Sequence, residues 1–165
     1  MLKEQEQMFQ SCDDQMEQFA GIGIFSALSK VEKRKGAITY QFKWHMEQIF
    51  ELVVDGKRGE ISIPMVLPLV SKKSTLDAEF RDFIRSLSGP QLPQHQRLLS
   101  RGDTLRINNR GGMLSLAIKS EMGNAKQLTK KIIGAVHQVY TLFLRSGGYD
   151  DYLMEAFNID LDTYL

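Results

Sequence analysis

"AITYQFKWHM", residues 37–46, alternates apolar and polar residues without a break. Ile38, Tyr40, Phe42, Trp44 and Met46 fall on one side, and Thr39, Gln41, Lys43 and His45 on the other. A period of two is that of a strand with one buried and one wet face. Downstream, "IFELVVDGKRGEISIPM" reads as two further strands around a turn at "DGKRG", where Asp55-Gly56 favours positive φ and makes the two runs antiparallel neighbours. Ile61, Ile63 and Met65 give the third strand its buried side. Pro64 has no N–H to donate, which predicts an edge strand.

Outward from these strands the periodicity becomes helical. Residues 2–20 place Phe9, Cys12, Met16 and Phe19 on one helical stripe, and Gly21 and Gly23 supply the stop. "IFSALSKVEKRKG" is compatible with one or two more helical turns through Ile24, Phe25, Leu28 and Val31. Residues 75–88 form the middle helix, with Ser74 as cap, Asp77 as its capping-box partner, and Leu76, Phe80, Phe83, Ile84 and Leu87 as its apolar stripe. A proline-containing loop, 89–103, precedes strands that start at Leu105 and return through "NNRGG" to Leu114, Leu116 and Ile118. Asn124 caps the longest helix with Gln127 at the third position. Leu128, Ile132, Val136, Val139 and Phe143 run down its inner side, and Gly147-Gly148 ends it. The tail, 149–165, offers a short acidic helix.

The order is α-βββ-α-ββ-α with hairpin connections, which predicts an α+β fold: a single antiparallel sheet of about five strands packed by helices. The long C-terminal helix is expected on the face that carries Trp44. At 165 residues the chain fits one domain, 1–165, and its 42% apolar and 25% charged residues are those of an ordinary globule. A formal net charge of +1 supplies no global field toward nucleic acid or anionic lipid. The single cysteine, Cys12, allows no internal disulfide and fits a reducing compartment. No signal peptide or membrane span is read in the sequence, so a cytoplasmic location is expected.

Candidate chemistry is sparse. His45, His95 and His137 stand at unrelated places and make neither a metal spacing nor a triad. "NNRGGML" leads into a strand, so its glycines read as a hairpin turn rather than a phosphate cradle. Cys12 lies on an apolar stripe and reads as a buried structural thiol. The basic clusters "KVEKRKG" and Lys130-Lys131 are short for a duplex-binding face. No catalytic residue, metal or cofactor is expected, and nucleic acid is an unlikely partner on these grounds.

The runs "AITYQFKWHM", "QIFELVVDGKRGEISIPMVL", "TLDAEFRDFIRSLSG", "DTLRINNRGGMLSLAIK" and "AKQLTKKIIGAVHQVYTLFLRSGG" are laid out in an order that resembles class I type III secretion chaperones. The YbjN-like bacterial proteins are similar. The likeness is one of layout over about residues 37–148. It implies a fold that binds an extended protein segment across its sheet, dimerises through the middle helix and performs no catalysis. On that footing a protein partner is expected at Thr39, Gln41, Lys43 and His45 and along the edge at Ile61, Ser62 and Ile63, with Phe80 or Phe83 at a homodimer interface. Ile49, Val53, Val66 and Met113 are expected to join the outer face. The alternatives are an enzyme using the 89–103 loop through His95, Arg97 and Arg101, or a weak nucleic-acid-binding role.

Overall fold

The computed structural model describes residues 2–34, 36–121, 124–146 and 148–157. Helix α1 (Leu2–Gly21) leads into four strands, β1 (Ser26–Arg34), β2 (Ala37–Trp44), β3 (Gln48–Asp55) and β4 (Glu60–Leu67). Helix α2 (Thr75–Ser86) precedes the hairpin of β5 (Thr104–Arg110) and β6 (Met113–Lys119), then α3 (Ala125–Gln138) and α4 (Gly148–Phe157). Between α3 and α4 the helix runs on through a π-helical stretch, Val139–Phe143, and a 3-10 turn, Leu144–Ser146. The strands form one six-stranded sheet in the order β1-β2-β3-β4-β6-β5, antiparallel at every pairing. The α+β class expected from the hairpin connections is the class observed.

Two expectations about strands are corrected. Residues 26–34 are a strand rather than helical turns: Phe25 and Leu28 do sit at helical spacing, but β2 offers a row of open backbone groups and β1 pairs with it from Ser26↔Lys43 to Arg34↔Ala37. Strand β4 is no edge. It pairs with β3 through Val53↔Ser62 and with β6 through Ser62↔Ala117, and lies inside the sheet. Pro64 is tolerated there because the ladder to β6 skips from Ile63 to Leu67, so its missing N–H falls at a bulge.

Ser74 and Asn124 cap their helices as the sequence reading has it. The capping box at Ser74 is one-sided, because the Asp77 carboxylate accepts from Arg81 and Asn109 while the Ser74 N–H donates to Ser71 O at 3.1 Å. Ser74 Oγ accepts from the Asp77 N–H at 3.1 Å, and Asn124 Oδ1 accepts from the Gln127 N–H at 3.1 Å. At the β3–β4 turn Asp55 Oδ1 accepts from the N–H groups of Lys57 and Arg58, both at 3.1 Å. The positive φ falls at Gly59 rather than at Asp55-Gly56. Gly56 is required for a different reason: a Cβ there would stand 2.9 Å from Phe9 Cζ, where α1 lies against the turn.

The core lies on one side of the sheet. Tyr40, Phe42, Trp44, Phe50, Leu52, Val54, Ile61, Ile63, Leu114, Leu116 and Ile118 are buried there. They meet Cys12 and Met16 of α1, Leu76, Phe80 and Ile84 of α2, Leu128, Ile132 and Val136 of α3, and Tyr149 and Leu153 of α4 in one cluster. Trp44 is 8% exposed, edge-on to Phe50 at 5.4 Å and stacked over His137 of α3 at 6.3 Å, as its facing predicts. Helix α4 docks on the β4–α2 connection, where the Tyr149 hydroxyl donates to Pro68 O at 2.8 Å and the Tyr152 hydroxyl to Ser71 Oγ at 2.7 Å.

Candidate binding surfaces

Strand pairing fixes which side chains share the opposite face. One row across the sheet runs Val31, Thr39, Val53, Ser62, Ala117, Arg106, and beside it lie Ser29, Gln41 and Glu51, then Ser26, Lys43 and Ile49. Ile49 is 52% exposed and Val31 41%, and Gln41, Lys43, Glu51, Val53 and Ser62 are half-buried. Full burial in these rows is confined to short side chains such as Thr39 and Ala117, which longer neighbours shade. This is the pattern of a face open to solvent, with apolar Ile49, Val53 and Val31 set among polar residues. Met113 is exposed as expected, whereas Val66 turns into the core beyond the bulge.

The residues expected to bind a partner therefore divide. Gln41, Lys43 and Ser62 are on the open face, with Thr39 buried among them. Ile61 and Ile63 are fully buried beneath the helices and cannot reach a partner. The backbone of Ser62 is paired on both sides and offers no edge. The two true edges are β1 and β5. The middle of the β5 edge is occupied, because Arg81 Nη1 donates to Ile107 O at 2.9 Å.

His45 is not on the wet face. Strand β2 ends at Trp44, and the next turn carries Met46 and Glu47 at φ of 56° and 57°, which swings the His45 ring to the helix side. There it lies parallel to the Tyr140 ring at 4.7 Å and against Trp44 at 4.3 Å. Its Nε2 is 3.3 Å from Nδ1 of His137. Burial, then the neighbouring His137, lowers His45 from its ordinary value to about 4, so it is neutral at neutral pH. Tyr140 itself donates to Val66 O at 2.7 Å and accepts from Gln48 Nε2 at 3.3 Å.

Of the two side chains expected at a dimer contact on the middle helix, Phe80 is withdrawn into the core, whereas Phe83 keeps partial exposure. Phe80 is fully buried and sits edge-on to Phe143 at 5.9 Å, while Phe83 is half-buried on Phe143 at 5.3 Å. The outward face of α2 carries Thr75, Ala78, Glu79, Asp82 and Arg85, which is a solvated face.

The 89–103 loop does not gather His95, Arg97 and Arg101 into a polar pocket. Arg97 is turned back on the loop, donating to Leu92 O at 3.0 Å and Pro90 O at 3.4 Å. A groove of about 300 Å³ lies between the loop and α3, lined in part by His95, Arg97, Lys130 and Lys131. A larger one, about 930 Å³, opens between α1, the β3–β4 turn and the start of α3, where Lys57, Arg58 and Lys119 face Glu4 and Glu121.

The remaining titratable groups hold elements together. Lys30 Nζ lies 2.9 Å from Asp13 Oδ2, and the Tyr40 hydroxyl donates to the same carboxylate, so α1, β1 and β2 share one ion. Burial and then the bond to Asp13 raise the Tyr40 phenol, which stays protonated. Burial pushes the Cys12 thiol up to about 11, against the weaker pull of the Thr129 hydroxyl, so the sulfur is no nucleophile. At Asp77 burial acts upward, but hydrogen bonds from Arg81 and Asn109 and the Arg81 charge outweigh it and hold the carboxyl below its usual range. Among the described residues no group of three or more His, Cys, Asp or Glu side chains could hold a metal, and no helix is long and apolar enough to cross a membrane. The chain matches no known protein family, no curated protein and no solved structure.

Proposed function

We propose that this protein is a non-enzymatic, chaperone- or adaptor-like binding module that receives a protein segment on the outer face of its sheet. The observation that carries the reading is the asymmetry of the sheet. The described helices all bury their apolar stripes in the core on one side, and the other side leaves Val31 and Ile49 exposed and Val53 half-exposed among Gln41, Lys43 and Glu51. An apolar strip rimmed by polar groups suits a partner that contributes a few apolar side chains and satisfies the rim. The layout resemblance to secretion chaperones points the same way, with β1 as an added strand whose free edge lies beside this strip. Burial keeps the Cys12 thiol and the Tyr40 phenol protonated, which supports a binding role over the enzymatic alternative.

The test is affinity capture from the native cell with quantitative mass spectrometry. Wild type is compared with an Ile49→Asp/Val53→Asp variant and with Leu142→Asp, a change at an exposed residue on the helix side. A protein retained by wild type and Leu142→Asp but lost by the double variant is expected. Identical capture by all three folded proteins overturns the assignment of this face.

A further inference from the structure

We infer that the groove between α3 and the 89–103 loop is a second docking site, on the helix side of the molecule, for an acidic peptide segment carrying a leucine-like anchor. Gln127, Lys131, Gly134 and Gln138 recur at steps of three and four and so form one stripe of α3 facing the loop. Gly134 is the unexplained member. A glycine inside a helix costs about 1 kcal/mol relative to alanine. A Cβ at this position would meet no atom within 4 Å, so nothing in the chain requires glycine there. What its absence provides is bare helix backbone at the base of the groove, where another main chain can come close. Leu87, Leu92 and Leu98 supply apolar surface beside it.

Charge selects the occupant. Among the described residues Arg97, Lys130 and Lys131 pair with no carboxylate: Arg97 is held by loop carbonyls, and Lys131 Nζ donates to Ser100 Oγ at 3.0 Å. The loop's own acid, Asp103, is turned back to accept from the Ser100 N–H at 2.8 Å. A chain of net charge +1 thus concentrates uncompensated positive charge along one small groove. Such a wall attracts and orients a negatively charged segment. Nucleic acid fits less well, because no Phe, Tyr or Trp side chain lines the groove for base stacking and three leucines flank it.

The probe is a short fluorescein-labelled peptide alternating glutamate and leucine, followed by anisotropy at physiological salt. A glutamate–glycine peptide of equal charge and an oligothymidylate serve as competitors. The proteins are wild type, Lys130→Glu/Lys131→Glu, Gly134→Leu and the outer-face variant Ile49→Asp/Val53→Asp. Wild type and the outer-face variant are expected to bind the glutamate–leucine peptide alike, which separates this site from the sheet face. The charge-reversed and groove-filled proteins should bind it about tenfold or more weakly. Gly134→Leu raises helix propensity, so its thermal midpoint should equal or exceed that of wild type and exclude loss of fold as the cause. No binding by wild type, unchanged binding by Gly134→Leu, or equally effective competition by the glycine peptide or the oligonucleotide would overturn the proposal.

Discussion

His45 Nε2 and His137 Nδ1 stand 3.3 Å apart, the one on the turn after β2 and the other on α3, so one imidazole donates to the other. Only one proton fits between two nitrogens at that separation, and a second breaks the contact. The ring stack of His45 on Tyr140 ties the same turn to the π-helical stretch. The sheet's end is thus fastened to the long helix by a neutral imidazole.

Acid should loosen that fastening. His45 is held at about 4 in the folded chain, below the ordinary histidine value. Between that ordinary value, about 6.5, and pH 4 the unfolded chain binds a proton that the folded chain refuses. The contribution is therefore fully present above about pH 6.5 and is lost as pH falls toward 4. The thermal midpoint of wild type should drop more steeply over this window than that of His45→Phe, which keeps the ring stack and cannot titrate. Parallel profiles for the two proteins would contradict the argument.

Removing the indole should be costly. Trp44 fills space between Phe25, Phe42 and Phe50, and Trp44→Ala should lower unfolding free energy by about 3–5 kcal/mol in urea titrations. The native emission maximum should be that of a buried indole.

Asp77 links α2 to the sheet's far edge, since it accepts from Arg81 at 2.8 Å and from Asn109 Nδ2 at 2.9 Å. Asp77→Ala should cost about 2–3 kcal/mol by denaturant titration, because the buried amide of Asn109 and the Arg81 guanidinium lose their acceptor. Asp77→Asn, which keeps an acceptor for one of them, should cost less.

The Gly56–Phe9 approach gives a coupled pair. Gly56→Ala should destabilise by about 1–3 kcal/mol through the clash with the Phe9 ring. In the background of Phe9→Ala the same change should be nearly neutral, so a double-mutant cycle reports a coupling of that size.

Most elements were legible because their signals were local. The caps at Ser74 and Asn124, the alternation of residues 37–44 and the stripe of α3 each follow from residues within a few positions of one another. What escaped depends on partners distant in sequence. Strand β1 has helical spacing at Phe25 and Leu28, and only its pairing with β2 makes it extended. Pro64 signals an interrupted ladder, but whether the interruption is an edge or a bulge is decided by β6, some fifty residues on. His45 left the wet face because two non-glycine residues, Met46 and Glu47, adopt left-handed backbone, for which the sequence carries no marker. The outer face itself was readable as a pattern at Gln41 and Lys43. The groove cations were visible as Lys130-Lys131, but their meeting with Arg97 is a tertiary event.

The hydrogen bond from Arg81 to Ile107 O has a consequence for the fate of the sheet when copies of the chain meet at high concentration. A growing amyloid-like fibre needs two adhesive edges, one to bind the last copy and one to receive the next. With the middle of the β5 side capped by a guanidinium, β1 is the more open edge among the described residues, and two copies joined through it by a two-fold axis would leave only the partly capped β5 edges free. Edge-to-edge association is therefore expected to favour a pair, and Arg81→Ala, by uncapping Ile107 O, is expected to shift sedimentation profiles at high concentration toward larger species.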